Sequence, residues 1–249
     1  MKISIITVSY NRVNTIESSI KSVINQDYKN IEYIVVDGGS TDGTLAIIEK
    51  YRSRISAFVS EKDEGMYFAL NKGIKMATGD VVGILHSDDF YSNDKIISRI
   101  VNEFKEKQTD AVYGDLQYVM ENNINVIKRY WHSCAYQRNL FLKGWMPPHP
   151  SFFVKRDMYN RFGSFNTSFS FAADYELMLR LLYKNNLTAS YIPEVLVKMR
   201  AGGISNSSLT NRIKANREDR LAWKVNGIRP TVLTLFLKPL SKLRQFFKT

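Results

Sequence analysis

Short apolar runs alternate with segments of helical periodicity along the first half of the chain. The runs have the length of buried strands, and the segments between them repeat apolar residues every three or four positions, as amphipathic helices do. The predicted strands are residues 3–8, 31–36, 57–60, 81–85 and 111–113, and the predicted helices are residues 14–25, 44–51, 66–76 and 95–104. This alternation predicts an α/β fold in which helices flank a mostly parallel sheet with right-handed crossovers.

The alternation loosens beyond residue 115. The pattern there predicts a β-hairpin at residues 116–131, an irregular proline-rich stretch at 134–150 and a helix at 174–183. A strand followed by a loop is predicted at residues 193–205, and two terminal helices at 209–225 and 230–247. We therefore expect a domain at residues 1–205, with halves 1–115 and 116–205, followed by a helical extension at residues 206–249.

Positive charge is concentrated at the end of the chain. The net charge is +11, but residues 1–197 hold 23 basic and 22 acidic residues, whereas residues 198–249 hold 12 basic and two acidic residues. A basic segment of this kind indicates an anionic partner, which could be a membrane surface, a nucleic acid or a phosphorylated substrate. The single cysteine forms no internal disulfide, and no leader or apolar run of about 18 residues is visible. We therefore expect a cytoplasmic protein.

An acidic pair follows the predicted strand at residues 81–85. Asp88 and Asp89 come after four apolar residues and His86-Ser87, at the sheet edge where α/β proteins bind ligands. Adjacent carboxylates repel unless a cation or hydrogen-bond donors offset them, and Mg²⁺ and Mn²⁺ prefer such oxygen ligands. The alternative is a helix cap, because Ser and Asp are good capping residues.

Two further strands end in polar groups at the same edge. The first ends in residues 7–12, TVSYNR, and the second in residues 37–44, DGGSTDGT. Tyr10 could stack on a base whose N–H groups donate to Asp37, and the glycines allow close backbone approach to a ligand. The alternative for residues 37–44 is an ordinary loop with a cap. Neither strand is followed by a dinucleotide or P-loop glycine motif, which disfavours both of those chemistries.

The segments VSYN (8–11), VVDGGSTDGT (35–44), DEGMYFALNKGIKMATGDVVGILHSDD (63–89) and AADYELMLRL (172–181) closely resemble family 2 glycosyltransferases. The resemblance covers roughly residues 1–205. It implies the Rossmann-like GT-A fold, with a nucleotide-sugar half at residues 1–115 and acceptor-side elements at residues 116–205. It also implies transfer of a sugar from a nucleotide diphosphate sugar, usually with inversion, with Mg²⁺ or Mn²⁺ as cofactor. The chain further resembles the members that assemble bacterial surface polysaccharides, with a glycan or lipid-linked acceptor.

The resemblance also implies roles for individual residues. Asp89 would bind the metal that bridges the diphosphate, and Asp88 would face the ribose or a metal-bound water. Asp63 would lie near the nucleotide. The residues expected to hold the base and ribose are Thr7, Ser9, Tyr10, Asn11 and Asp37. Arg200, in the late segment that can close over the diphosphate, would balance the charge of the leaving group, unless it is a surface arginine beside a turn.

Asp174 would be the catalytic base, because inversion needs a carboxylate that takes the proton of the acceptor hydroxyl. The alternative is a carboxylate in the first turn of a helix, favoured by the helix dipole. Ala173 replaces the Glu often found at that position in the family, which leaves a second acidic contact to the acceptor open. Glu176 and His149 are the further acceptor-side candidates, and His149 is otherwise a loop histidine between prolines.

Two other functions stay open at this level. A sugar nucleotidyltransferase has a related sheet, but its glycine-rich phosphate loop is absent near residue 10. A non-catalytic nucleic-acid-binding protein would account for the sequence pI of about 9.6, yet no nucleic-acid-binding module is visible.

The last 20 residues predict a basic amphipathic helix. Phe236, Leu240, Leu243 and Phe247 recur at helical spacing, among basic residues and without an acidic one. Such helices lie in the interface of an anionic membrane, so we expect peripheral attachment through residues 230–249 to the inner face of the cell membrane. The alternative is a helix that packs on the enzyme or on a second subunit.

Overall fold

The structure is a computed structural model that describes residues 1–201, 209–231 and 234. A nine-stranded sheet runs through these residues in the order β3-β2-β1-β4-β8-β6-β9-β5, and β7 pairs with the outer part of β6. The strands are β1 Ile3–Ser9, β2 Ile31–Asp37, β3 Ala57–Ser60, β4 Val81–Ile84, β5 Asp89–Tyr91, β6 Ala111–Val119, β7 Ile127–Trp131, β8 Phe153–Lys155 and β9 Ala189–Arg200. The predicted α/β fold is therefore confirmed.

The first four strands form the parallel part of the sheet. β1 lies between β2 and β4, and β3 pairs with the far side of β2, all in parallel register. All seven residues of β1 are buried, which explains why its apolar run does not alternate with polar positions. Because parallel strands end at the same edge, Ser9 and Asp37 are register partners there.

The second half of the sheet is mixed. β8 runs antiparallel to β4 and β6, while β6 and β9 are parallel to each other. β9 also pairs antiparallel with β5, where Met199 is the partner of Asp89. This pairing folds the acidic pair back against the end of β9, so the site is built where the two halves of the sheet meet.

Helices cover the sheet and leave its carboxyl edge for the loops. They are α1 Ile16–Ile24, α2 Thr44–Lys50, α3 Met66–Met76, α4 Ile96–Lys107, α5 Arg156–Phe162, α6 Ala173–Met178 and α7 Leu209–Val225. A π-helical segment, Leu179–Lys184, continues α6, and 3₁₀ turns lie at Arg52–Arg54, Arg138–Lys143 and His149–Ser151. α4 buries a stripe of apolar residues at helical spacing, consisting of Ile96, Ile97, Ile100, Val101 and Phe104.

The predicted elements of the first half are found within a few residues of their predicted ends. The hairpin at residues 116–131 is also confirmed, as β6 and β7. The sequence did not predict β5 or β8, and it made β9 too short. The predicted domain boundary at residue 205 and nearly all of the predicted terminal helix, residues 230–247, lie outside the described residues. No helix in the described part of the chain is long and apolar enough to span a bilayer.

Candidate active site

The carboxyl end of β4 carries an acidic pair whose two members have different surroundings. Asp88 is partly exposed, whereas Asp89 is fully buried at the start of β5. Neither carboxylate oxygen of Asp89 has a hydrogen-bond partner among the described residues. Burial and then the charge of Asp88 raise the pKa of Asp89 well above its usual range, although the charge of Arg200 and its nearby backbone N–H oppose them. A buried carboxylate without donors is costly, so this site favours a bound cation.

Arg200, the last residue of β9, fixes the backbone of the acidic pair. Its guanidinium donates to the carbonyl oxygen of Asp88 at 2.7 Å and to the Ser18 hydroxyl at 2.9 Å. The same group lies over the Phe90 ring, 4.9 Å from its centroid. Burial lowers the pKa of Arg200, and the charges of Asp89 and Asp88 oppose that effect. The structure therefore brings Arg200 to the predicted site, where it anchors the turn; its predicted role toward the diphosphate stays a prediction.

Asp37, at the end of β2, is also fully buried, but its carboxylate is saturated with hydrogen bonds. The donors are the hydroxyls of Ser9, Ser40 and Ser60 and the backbone N–H groups of Gly39 and Ser40. Burial raises the pKa of Asp37, but the hydrogen bonds outweigh it and lower that pKa below its usual value. Asp37 therefore holds the loop after β2 in shape.

The residues at the end of β1 and just after it divide into a buried pair and an accessible pair. Thr7 is fully buried, and Ser9 donates its hydroxyl to Asp37. Tyr10 is 62% exposed. Asn11 adopts a left-handed conformation with φ of 52°, and its side-chain oxygen accepts a hydrogen bond from the Thr41 N–H at 2.9 Å. Tyr10 and Asn11 are therefore placed to touch a ligand, while the buried pair supports them.

Asp63, just before α3, has one satisfied and one unsatisfied carboxylate oxygen. Lys72 of α3 donates to its Oδ1 at 2.7 Å and also pairs with Glu61 at 2.6 Å. The other oxygen, Oδ2, is buried without a hydrogen-bond partner among the described residues. Like Asp89, Asp63 therefore has a buried carboxylate oxygen that no described residue satisfies and that is available to a ligand.

Asp174, in the first turn of α6, pairs with a histidine rather than capping its own helix. The distance from His149 Nδ1 to Asp174 Oδ2 is 3.2 Å, and both side chains are about one quarter exposed. The rings of His149 and His86 lie 6.1 Å apart. Burial and then His149 lower the pKa of His86 to about 4, while the charges of Asp88 and Asp174 oppose this. Through these two histidines the structure brings Asp174 together with the acidic pair.

Tyr67 of α3 links the two halves of the site. Its hydroxyl faces the backbone of Ala173 and Asp174 at the start of α6, and the N–H groups of both residues act to lower its pKa. Burial, followed by the charge of Asp174, raises the pKa of Tyr67 well above its usual range. The Tyr67 ring stacks on Phe165 with 5.5 Å between centroids. The residue therefore ties the start of α6 to the helix after Asp63.

Glu176 is placed differently from its predicted acceptor-side neighbours. It is buried, and Arg180 donates to both of its oxygens at 2.9 Å. Asn226, directly after α7, donates to Glu176 Oε1 at 3.0 Å. The structure thus engages Glu176 in contacts within the protein, whereas it brings His149 to Asp174; the acceptor-side role of both residues stays a prediction.

Sequence reasoning did not select His86 or Tyr67 as site residues. His86 directly precedes Ser87 and the acidic pair, and Tyr67 lies in the segment that carries the resemblance. Both are nevertheless common residue types in a core, and only the folded chain places them against Asp174. The position of His86 immediately after a buried strand was the signal that could have identified it.

The acidic pair fits a divalent metal ion on the chemistry of its donors. No group of three or more His, Cys, Asp or Glu side chains suited to a metal is found within the described ranges. Mg²⁺ does not need such a cage, because it is often held by one or two carboxylates plus phosphate oxygens of a ligand. The two unsatisfied oxygens of Asp89 suit that chemistry, and the charge of the adjacent Asp88 acts on the same carboxylate.

Residues 4–169 match the model of glycosyl transferase family 2. A similar protein of known activity is the Escherichia coli UDP-Glc:alpha-D-GlcNAc-diphosphoundecaprenol beta-1,3-glucosyltransferase WfgD. It is 30% identical over 226 residues, which cover 90% of this chain and 85% of WfgD. An uncharacterised glycosyltransferase of Mycobacterium tuberculosis is 31% identical over 181 residues, covering 72% of this chain and 68% of that protein.

Solved structures share the fold at low identity. TarS of S. aureus, residues 1–349 with UDP-GlcNAc, superposes with a TM-score of 0.70 at 20% identity, covering 99% of this chain and 72% of that one. The mannosyltransferase PcManGT of Pyrobaculum calidifontis, solved with GDP-Man and Mn²⁺, gives 0.67 at 19% identity, covering 97% and 69%. These structures confirm the predicted GT-A fold. The family model and the relatives together show that this chain belongs to glycosyl transferase family 2 and is a glycosyltransferase.

Proposed function

We propose that this enzyme transfers one sugar from a nucleotide diphosphate sugar to a hydroxyl of a lipid-linked or glycan acceptor, with inversion and with a divalent metal. A UDP-sugar is the donor we favour, and assembly of a bacterial surface polysaccharide is the process. The observation that carries the proposal is Asp89, a fully buried carboxylate whose two oxygens have no hydrogen-bond partner among the described residues. It lies beside Asp88, and the His86 and His149 rings lie between this pair and Asp174.

The relatives support the choice of donor and acceptor. The name of WfgD states UDP-Glc as its donor and a sugar-diphosphoundecaprenol as its acceptor. TarS has been solved with UDP-GlcNAc and PcManGT with GDP-Man and Mn²⁺. WfgD covers nine tenths of this chain, so a lipid-linked acceptor is the leading candidate.

Asp89 and Asp88 would hold the metal ion. A bound Mg²⁺ or Mn²⁺ would act as a Lewis acid that stabilises the negative charge of the diphosphate leaving group. Arg200 supports this arrangement by holding the carbonyl of Asp88, which fixes the turn that carries both carboxylates. Tyr10, Asn11 and the free oxygen of Asp63 would contact the nucleotide, while Thr7, Ser9 and Asp37 would shape its pocket from below.

Asp174 would act as the base. Its carboxylate accepts the proton of the acceptor hydroxyl as that oxygen attacks the sugar on the face opposite the leaving group, which gives inversion. A neutral His149 can donate Nδ1–H to this carboxylate across the 3.2 Å contact and hold it toward the acceptor. His86 is neutral at neutral pH because of its lowered pKa of about 4. It therefore adds no positive charge that would compete with the metal.

A thermal-shift screen tests donor and metal together. Ligands that bind only the folded state raise its melting temperature, so we expect one nucleotide diphosphate sugar to stabilise the protein more with Mn²⁺ than without it. UDP-sugars and GDP-sugars are compared at equal concentration. A screen in which no nucleotide diphosphate sugar stabilises the protein, with or without Mn²⁺, would argue against the proposed donor class.

The role of Asp174 is tested with Asp174→Asn. Loss of a general base costs roughly 10²–10⁴ in rate, so turnover should fall by that factor while donor binding is retained. Asp157 is a matched control, because it is an exposed carboxylate in the first turn of α5 that pairs only at 3.9 Å with Arg161. If Asp174→Asn turns over as fast as Asp157→Asn, Asp174 is only a first-turn carboxylate.

We also propose that residues 230–249 attach the enzyme peripherally to the inner face of the cell membrane, where a lipid-linked acceptor would be met. The support is the basic amphipathic pattern of that segment and the acceptor named for WfgD. Flotation with anionic liposomes should show binding that Lys238→Glu/Lys242→Glu weakens. The control is Lys105→Glu/Lys107→Glu, in the exposed last turn of α4. Equal loss in both double variants would indicate a general charge effect.

A further inference from the structure

The start of α6 is capped by a residue from a different helix. Ala172 occupies the N-cap position and has no side chain that could satisfy the free N–H groups there. Instead, Glu218 of α7 accepts hydrogen bonds from three consecutive N–H groups just before and at that position. They come from Ser170 at 3.0 Å, Phe171 at 2.8 Å and Ala172 at 2.9 Å.

α7 also contacts α6 on the other side of Asp174. Trp223, which is almost fully buried, donates its indole N–H to the Tyr175 hydroxyl at 3.0 Å. Asn226 donates to Glu176 at 3.0 Å. Asp174 is therefore held between two sets of contacts that come from α7 and from the residue directly after it. The residue that provides the first set is unusual for its region, since Glu218 is one of only two acidic residues after residue 197.

We propose that Glu218 is a positioning residue for sugar transfer, which sets the orientation of Asp174 by capping the start of α6. The proposal rests on the proposed role of Asp174 as the base. Asp174 is only two residues beyond the last N–H that Glu218 accepts, so a small rotation of this turn moves its carboxylate relative to His149. A carboxylate is suited to this task because its charge also favours the positive end of a helix.

The proposal gives α7 a function in catalysis as well as in packing. The backbone of Ala173 and Asp174 in turn faces the Tyr67 hydroxyl, so residues 170–174 lie between a side chain of α7 that accepts three hydrogen bonds and a side chain of α3. Contacts from two helices therefore hold residues 170–174, a segment with alanine at the N-cap position of α6. Displacement of a catalytic group by about 1 Å can cost about 10²-fold in rate, which sets the scale of the expected effect.

The experiment measures kcat, the KM values for donor and acceptor, and donor affinity by calorimetry in the full-length chain. For Glu218→Ala we expect kcat to fall about 10- to 100-fold, with donor affinity within about twofold of wild type. Glu218→Gln keeps an oxygen for Phe171 and Ala172 and loses the charge, so its kcat should lie between those of wild type and Glu218→Ala. Asp219→Asn removes the same charge from the neighbouring position and leaves the three hydrogen bonds, so its kcat should stay within about twofold of wild type.

A double-mutant cycle with Asp174→Asn separates positioning from stability. If Glu218 acts through Asp174, adding Glu218→Ala to Asp174→Asn should lower kcat little further, because the residue it positions is already inactive. Full additivity of the two losses would overturn the proposal, as would wild-type kcat in both Glu218 variants. Failure of the proposed function gives a different result, namely wild-type turnover in Asp174→Asn itself. If Glu218→Ala does not fold, Glu218→Gln carries the same comparison.

Discussion

Asp37 and Asp89 are both fully buried at the carboxyl edge of the sheet, yet the protein treats them in opposite ways. Five donors surround the Asp37 carboxylate, from its own loop and from the last residues of β1 and β3, whereas neither Asp89 oxygen has a hydrogen-bond partner within the described residues. The pKa of Asp37 is accordingly lowered and that of Asp89 is raised. A buried carboxylate that is satisfied internally belongs to the scaffold, while an unsatisfied one is kept for a ligand.

Of the variants that test this comparison, Asp89→Asn should cause the largest change, which is a loss of turnover. The loss of a metal ligand removes several kcal/mol of charge stabilisation in the transition state, which corresponds to roughly 10³-fold in turnover. The variant without ligands should be as stable as wild type at neutral pH or more so, because it no longer buries an unpaired charge. Urea unfolding with a chelator measures the stability, and the Mn²⁺-dependent thermal shift measures the site. A variant that keeps the full Mn²⁺-dependent shift would place the metal elsewhere.

The second effect is one of stability and should appear in Asp37→Asn. An amide in place of the carboxylate turns an NH₂ group toward hydrogen-bond donors, and we expect the free energy of unfolding to fall by about 2–3 kcal/mol without any ligand. Because the pKa of Asp37 is below its ordinary value of 3.8, its charge stabilises the fold above that pH, and the stabilisation is lost as the pH falls further.

Urea unfolding at pH 7 and near pH 3 checks this prediction. The difference between wild type and Asp37→Asn should be largest at pH 7 and narrow at the lower pH. Asp89→Asn serves as the control, since it replaces a carboxylate of equal burial at the same edge. Similar losses of stability in Asp37→Asn and Asp89→Asn would show that the two carboxylates do not differ in their contribution to the fold.

The sequence could predict the fold of the first half and could name candidate site residues, but it could not distinguish the different surroundings of the two buried carboxylates. The apolar runs locate β1, β2 and β4, and the polar residues after them identify Asp37 and Asp89 as candidates. The serines that satisfy Asp37 come from three separate segments, at residues 9, 40 and 60, and meet only when the sheet forms.

The parts that the sequence missed depend on contacts between distant segments. β5 and β8 have three residues each, too few for a periodic pattern, and pairing with β9, β4 and β6 defines them. The same reason explains Glu218, which lies 44 residues after Asp174 in the sequence but caps the start of its helix. The helix that carries Glu218 was predicted. Its contact with the start of α6 could not be, because helical periodicity does not show which element packs on each face of a helix.

The smallest effect should come from Arg200→Lys, which tests how the unsatisfied carboxylate is held in place. A lysine keeps the charge but lacks the fork that reaches the Asp88 carbonyl and the Ser18 hydroxyl together. Partners that orient metal ligands are typically worth 10–100-fold in metal affinity, and because the charge is retained we expect a loss of about 10-fold. Arg138→Lys is a matched control, since Arg138 also stacks on an aromatic ring, that of Tyr183, and donates to the carbonyl of the same residue. Titration of Mn²⁺ with a nucleoside diphosphate present measures the difference. If both variants bind Mn²⁺ equally well, the turn that carries Asp88 and Asp89 does not need Arg200 for its shape.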